Sequence, residues 1–201
     1  MPRIPAAQRR NDFIQAAVEV IATHGIDGAT TRKIADQAKA NLAMLHYCYD
    51  SKEALFTDVF AYVAGQYRET IEQSNPGTSL ADAARGILRG VMQTYLDSPS
   101  FTAATFDLIS WARRQHEDRG IAVYDQAFDT LRTELRRACT EPVADESIEE
   151  LAYVLATLAD GFAVNWLTYG DRTVAARQMD VAAAALDAWL TAGIEPAPAG
   201  R

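Results

Sequence analysis

The sequence predicts an all-α protein of about nine helices, and three observations predict it. Apolar residues recur at i, i+3, i+4 and i+7 in one segment after another, while no stretch shows the period-2 alternation of a half-buried strand. The segments are punctuated by helix signals, with Ser, Thr, Asn or Asp in front and Gly behind. The chain has 201 residues, 49% of them apolar, which is enough for one sizeable core or a small domain fused to a larger one.

Helix 1 is expected from about Ala6 to His24, where Phe13, Ala17, Val20, Ile21 and His24 form one stripe and Gly25 ends it. Two short helical patterns follow. The first runs from Thr31 through Ile34 and Ala35 to Ala38, and the second from Asn41 through Met44 and Leu45 to Tyr49. Ser51 caps helix 4, which reaches about Ser74 with Leu55, Val59, Val63, Tyr67 and Ile71 on one face. Asn75-Pro76-Gly77 breaks the chain. Helix 5 starts near Ser79 and carries Leu80, Ile87, Leu88, Val91 and Tyr95. Ser98-Pro99 reads as an N-cap followed by a first-turn proline, so helix 6 begins there with Phe101, Phe106, Ile109 and Trp111. Helix 7 spans about Asp118 to Thr140. Ser147 and Glu150 form a capping box for helix 8, Gly170 ends that helix, and Asp171 and Gly193 bracket helix 9. The Pro- and Ala-rich tail 194–201 is expected to be disordered.

Helices 2 and 3, joined by a tight turn, make a helix-turn-helix whose second helix fits the DNA major groove. The motif resembles the DNA-binding end of a TetR-type transcriptional regulator. The residues that carry the likeness are the Thr30-Thr31 pair, Ile34-Ala35, Leu45-His46-Tyr47 with Tyr49, and Ser51-Lys52-Glu53-Ala54-Leu55. It is specific over roughly residues 8 to 60; beyond them, length and helical pattern agree. Two departures stand out. Lys39 occupies a turn position where such proteins carry Gly, and the apolar Leu42 and Ala43 open the recognition helix.

The resemblance implies a domain of residues 1–50 for DNA and one of 51–193 for ligand binding and dimerisation. By similarity to the family motif, Thr31 meets a phosphate, Lys52 is the phosphate-binding lysine and Tyr47 reaches the DNA backbone. Asn41, Leu42, Ala43 and His46 face the groove, with Arg32 and Lys33 as flanking phosphate contacts. Leu42 and Ala43 can touch thymine methyl groups. The family's inducer space between helices 4 and 8 suggests Tyr67, Tyr95, Phe101, Phe106, Trp111, Tyr124, Phe128 and Trp166 as lining, with Asp107 as a polar handle. So aromatic a lining suits a small apolar or aromatic effector.

Helix 8 carries apolar residues on more than one face, including Tyr153, Val154 and Val164, and helix 9 adds Val181, Ala182, Ala185, Leu186, Trp189 and Leu190. Leu155, Leu158, Ala159, Phe162, Trp166, Leu186 and Trp189 are the expected interface of a four-helix homodimer contact. Asp160-Gly161-Phe162 resembles a family segment at this place. The expected partners are a palindromic double-stranded DNA operator and a small-molecule effector, and the expected action is repression.

Composition agrees with local DNA binding by an acidic chain. Residues 1–56 hold seven Lys/Arg and six Asp/Glu, net +1; the remainder holds 12 and 21, net −9. All three lysines, Lys33, Lys39 and Lys52, lie in the first block. Cys48 and Cys139 are far apart and suggest no disulfide framework, which fits a reduced cytoplasmic setting. No apolar h-region follows Arg3, Arg9 and Arg10, and no uninterrupted apolar run approaches a membrane span. His24, His46 and His116 lack partners at metal-ligand spacing, and no P-loop, G-x-S-x-G or G-x-G-x-x-G occurs, so no metal, cofactor or catalysis is expected. Two rival readings remain: a helical binding or scaffold protein with a degenerate helix-turn-helix, motivated by Lys39, Leu42 and Ala43, and an enzyme on a helical bundle.

Overall fold

The computed structural model describes residues 5–75, 79–114, 119–140 and 142–193. Among these are nine α-helices: α1 (Ala6–Gly28), α2 (Thr31–Gln37), α3 (Leu42–Cys48), α4 (Lys52–Ser74), α5 (Leu80–Asp97), α6 (Pro99–Arg114), α7 (Arg119–Ala138), α8 (Asp145–Tyr169) and α9 (Arg172–Gly193). Pro76, Gly77, His116, Asp118 and the expected tail 194–201 lie outside the described residues.

Most boundaries follow the local signals. Asn41, Ser79 and Asp171 accept backbone N–H bonds at the starts of α3, α5 and α9. Gly170 closes α8 in the left-handed conformation at φ 65°. Two expectations shift. Gly25 interrupts α1 as a kink (φ 69°, ψ 164°), and one more helical turn follows it. The capping box at Ser147 does not form, because α8 already begins at Asp145 and Ser147 is buried within its first turn. Asp145 instead meets Arg136 of α7 at 3.0 Å, and Asp145 and Glu146 complement the positive end of the helix.

The chain divides into two compact units, each built from two stretches of sequence. One comprises Met1–Gly65 and Pro99–Tyr124, the other Gln66–Ser98 and Asp125–Arg201. The reason is packing: α1 lies against α6 as well as against α2 and α3. The buried face of α6, Phe101, Thr102, Ala104, Thr105, Leu108 and Ala112, is rich in small residues that allow close approach. Phe13, Ile21, Ile26, Ile34, Leu45, Leu55 and Val59 fill the core of this first unit.

In the second unit α5 packs against α8 and α9, and α8 against α9. Ile87, Leu88, Met92 and Tyr95 of α5, Leu151, Leu155 and Phe162 of α8, and Leu186 of α9 are buried. Polar contacts pin α5 to α9: Arg85 pairs with Asp187 at 2.6 Å, and Arg172 donates to the Leu96 carbonyl at 2.7 Å. Glu134, almost fully buried on α7, accepts from the Asn75 amide at 2.8 Å and pairs with Arg137 at 2.8 Å. By length and composition α8 alone among the described helices could cross a membrane. Here one of its faces is covered by α5 and α9.

The end of α4 comes close to the middle of α5 at Gly90. A Cβ on Gly90 would stand 2.7 Å from the Ser74 Cβ and would overlap the Ser74 hydroxyl. Gly90→Ala should therefore destabilise the protein by roughly 1–3 kcal/mol through overpacking. Ser74→Gly in the same chain should restore most of that loss. Urea melts with constant m-values measure both effects, and a Gly90→Ala protein with an unchanged midpoint would show that α4 and α5 separate freely here.

Candidate nucleic-acid interface

The short pair α2 and α3 is closed by its own side chains. Thr30, rather than Thr31, caps α2 by accepting the Lys33 N–H at 3.3 Å. Asn41 Oδ1 accepts the Met44 N–H at 2.8 Å. Between them Lys39 takes φ 52°, the left-handed conformation in which glycine is most comfortable. The side chain costs about 1 kcal/mol there, yet the turn is made, with the Lys39 N–H on the Asp36 carbonyl at 3.0 Å. The motif is thus geometrically intact, and the departure at Lys39 does not break it.

Of the seven residues of α3, only Leu45 and Cys48 are buried. Ala43, His46 and Tyr47 are exposed at i, i+3 and i+4, one face of the helix, and Tyr47 is 75% exposed. Met44 is exposed as well, Leu42 is half-buried, and Asn41 is exposed beside its cap bond. Arg32 and Lys33 are exposed on the first turn of α2, where Thr31 is half-buried. The surface that α3 turns outward therefore has an imidazole, a phenol and an amide among methyl and thioether groups.

Lys52 has intramolecular partners. Its ammonium donates to the Ile26 carbonyl at 3.4 Å and lies 4.9 Å from the centroid of the Phe56 ring. Ile26 is also where Asp107 goes. The kink at Gly25 releases the Ile26 N–H from the helical ladder, and Asp107 Oδ2 accepts it at 2.7 Å. Asp107 thus joins α6 to the end of α1. Four residues further along α6, Trp111 meets Phe56 edge-on at 6.5 Å.

A second cluster was not singled out from the sequence. Arg10 donates to the Cys48 carbonyl at 2.8 Å, lies 5.0 Å from the Tyr49 ring centroid and approaches Asp58 at 3.9 Å. Tyr49, nearly buried, donates its hydroxyl to Asp58 at 2.9 Å. Burial first, then the bond to Asp58, push the phenol well above its ordinary range, so it remains a proton donor. The contact from Arg10 to Cys48 spans 38 positions in sequence, and no local pattern announces it.

The candidate pocket residues fall in both units. In the first, Phe101 is buried against Tyr62 at 6.3 Å, Trp111 touches Phe56, and Phe106 and Tyr124 are half-buried. In the second, Tyr67 and Tyr95 pair hydroxyl to hydroxyl at 2.9 Å. Trp166 is buried with its indole N–H lacking an acceptor, and Phe128 carries the Arg132 guanidinium at 5.5 Å. Phe128 lines an outer groove of about 560 Å³ with Tyr153 and Trp189 rather than an internal cluster. Both cysteines are free thiols.

The residues proposed for subunit contact are mostly covered within one chain. Leu155, Ala159, Phe162, Trp166 and Leu186 are buried, and Leu158 and Trp189 are half-buried. What α8 and α9 leave outside is a different set: Tyr153, Val164 and Leu167 on α8, and Val174 and Val181 on α9. A core stripe and an interface stripe on α8 share one period, so periodicity does not separate them.

Asp107→Ala should leave the buried Ile26 N–H without an acceptor, at a cost of roughly 1–3 kcal/mol. Asp107→Asn, which keeps an acceptor oxygen, should cost less. Denaturant melts and the hydrogen-exchange rate of the Ile26 amide give the two readouts. Full protection of that amide in Asp107→Ala would show that the bond holds nothing in place.

Comparison with known proteins gives consistent likenesses. Residues 13–59 match the profile described as bacterial regulatory proteins, tetR family, and residues 58–191 match that of the BetI-type transcriptional repressor C-terminal domain. The chain is 27% identical over 170 residues to the HTH-type nicotine-responsive transcriptional repressor HdnoR of Paenarthrobacter nicotinovorans, covering 82% of this chain and 86% of that protein. It is 28% identical over 99 residues to the HTH-type transcriptional repressor NicS of Pseudomonas putida, covering 48% of this chain and 46% of that one. In fold it is similar to a TetR-like transcriptional regulator from Rhodococcus sp. RHA1, with a TM-score of 0.70 at 22% identity over 95% of this chain and 100% of that one. It is also similar to a TetR transcription regulator from Haloarcula marismortui, with a TM-score of 0.70 at 16% identity over 94% and 100%.

Proposed function

We propose that this chain, which belongs to the tetR family of bacterial regulatory proteins and carries a BetI-type repressor C-terminal domain, binds a palindromic operator as a homodimer and leaves it when a small effector binds. The observation that carries the reading is the exposed face of α3 held over a closed core: Ala43, His46 and Tyr47 outside, Leu45 and Cys48 inside. Two such helices, one per subunit, would meet successive major grooves ~34–36 Å apart. Arg32 and Lys33 would take phosphates, and Lys52 would join them by exchanging the Ile26 carbonyl for a phosphate oxygen. His46, the Asn41 amide and the Tyr47 hydroxyl supply polar contacts, while Leu42 and Ala43 favour thymine methyl groups. Selection of duplexes from a random pool tests the reading directly. Recovery of a symmetric site with footprints one turn apart is expected, and the absence of any enriched sequence would overturn it.

For assembly, the apolar residues that α8 and α9 leave exposed are better supported than the buried stripe. Val164 is 53% and Val181 69% exposed, with Tyr153, Leu167 and Val174 beside them. Exposed small residues, Gly161, Ala184, Ala185 and Ala188, would let a second pair of helices approach closely. Val164→Asp should give a folded monomer in sedimentation, with its melting temperature lowered only by the lost association and its affinity for the selected duplex reduced tenfold or more. A dimeric Val164→Asp protein would move the interface elsewhere.

The effector is read as small and apolar or aromatic, because the candidate side chains Tyr67, Tyr95, Phe101, Phe106, Trp111, Tyr124 and Trp166 are aromatic. HdnoR is described as nicotine-responsive, so nicotine is the first compound to titrate, with release of the duplex as the readout. Such a ligand acts only through its difference in affinity for the bound and released forms, typically a coupling of ~1–3 kcal/mol. A cytoplasmic setting suits this role.

A further inference from the structure

The recognition helix is too short to hold itself. Isolated helices below ~12–15 residues are marginal in water, and α3 has seven, of which only Leu45 and Cys48 are anchored in the core. Its N-terminal end is closed locally by Asn41. Its C-terminal end has no glycine cap: Tyr49 follows in an extended conformation at φ −137°, its N–H returning to the Leu45 carbonyl. The Cys48 carbonyl, left over at that end, is satisfied from outside the motif by Arg10.

We infer that Arg10 is a positioning residue for DNA recognition, fixing the angle at which α3 presents Ala43, His46 and Tyr47. It is the hub of a closed loop of contacts. Its guanidinium donates to Cys48 at 2.8 Å, covers the face of Tyr49 at 5.0 Å and approaches Asp58 of α4 at 3.9 Å; the same Asp58 oxygen accepts the Tyr49 hydroxyl at 2.9 Å. The loop therefore ties α1, the end of α3 and the start of α4 together at one point. The charge is placed where a helix end favours it, beside the negative pole of α3. A guanidinium can donate, stack and pair at once through one rigid plane, which an ammonium cannot. A rotation of α3 about its Leu45 anchor would have to break the Cys48 contact.

The inference rests on the reading that α3 enters the groove, and its test separates the two. The probe is the duplex that the wild-type protein selects from a random pool, with a scrambled duplex of equal length as reference. Anisotropy titrations run over a salt series, well below the lowest melting temperature of the variants. Arg10→Ala should lose about tenfold in affinity for the selected duplex, with less than a twofold change on the scrambled one and an unchanged salt slope. Arg10→Lys should recover only part of the discrimination, although it restores the charge. Tyr49→Phe, which keeps the ring but cuts the tie to Asp58, should lose discrimination in the same selective way, and it carries the test if Arg10→Ala does not fold. An equal loss on both duplexes with a slope smaller by about one unit would instead make Arg10 a phosphate contact and overturn the proposal. Unchanged discrimination in both Arg10→Ala and Tyr49→Phe would overturn it too. Failure of the wild type to select any sequence would remove the underlying reading itself, a result distinct from either.

Discussion

The backbone of a single residue, Ile26, is a fixed point of the first unit of this protein: its N–H and its C=O are both held by side chains of other helices. Helix α1 cannot continue through Gly25, so the Ile26 N–H points away from the helical ladder and needs an acceptor in a region where Ile26 itself is buried. Asp107 of α6 supplies it, and Lys52 of α4 reaches the carbonyl of the same residue. Two helices outside the helix-turn-helix are thereby fastened to the end of its supporting helix. The apolar contacts between α1 and α6 and the edge contact of Phe56 with Trp111 surround this polar point and limit the water that could compete for it. Residues of opposite charge, separated in sequence by 55 positions, thus share one backbone partner without touching it from the same side.

The same economy shapes the outward surface of α2 and α3. In a chain of net charge −8, affinity for a polyanion must come from a few local cations, and these are placed at helix ends rather than spread along a basic helix. Arg32 and Lys33 sit on the first turn of α2 and Lys39 in the turn itself. The acidic balance lies in the remaining helices, where carboxylates join ion pairs such as Arg85 with Asp187 and Arg132 with Glu149. These pairs are largely exposed and add little each.

Sequence reading succeeded where structure is local. Asn41, Ser79, Asp171 and Gly170 act within three or four residues of themselves, so residue type and spacing suffice to place the helix ends. It is silent where a residue's partner is distant. The partner of Asp107 is 81 positions away, on a backbone freed by a glycine. Phe162 and Leu155 fit the period of an interface, and the period does not say which side of α8 its neighbours occupy. The contact of Arg10 has no local signal, because the carbonyl it satisfies is left free only where α3 ends, 38 positions away. The boundary between compact units fell within α4 for a related reason: small residues on α6 permit a contact with α1 that no charge or linker pattern marks.

The three tryptophans are distributed so that each unit carries its own optical label. Trp111 is the label of the unit that contains the helix-turn-helix, half-buried and edge-on to the ring on which Lys52 rests. Trp166 and Trp189 belong to the other unit, one buried with an unshared N–H and one half-buried in a groove beside two carboxylates. Their emission energies should differ with these surroundings. Replacing Trp166 and Trp189 with Phe would leave the ultraviolet signal of Trp111 alone, and replacing Trp111 would leave that of the other unit. The chain can be observed half by half with its own chromophores, without an attached dye.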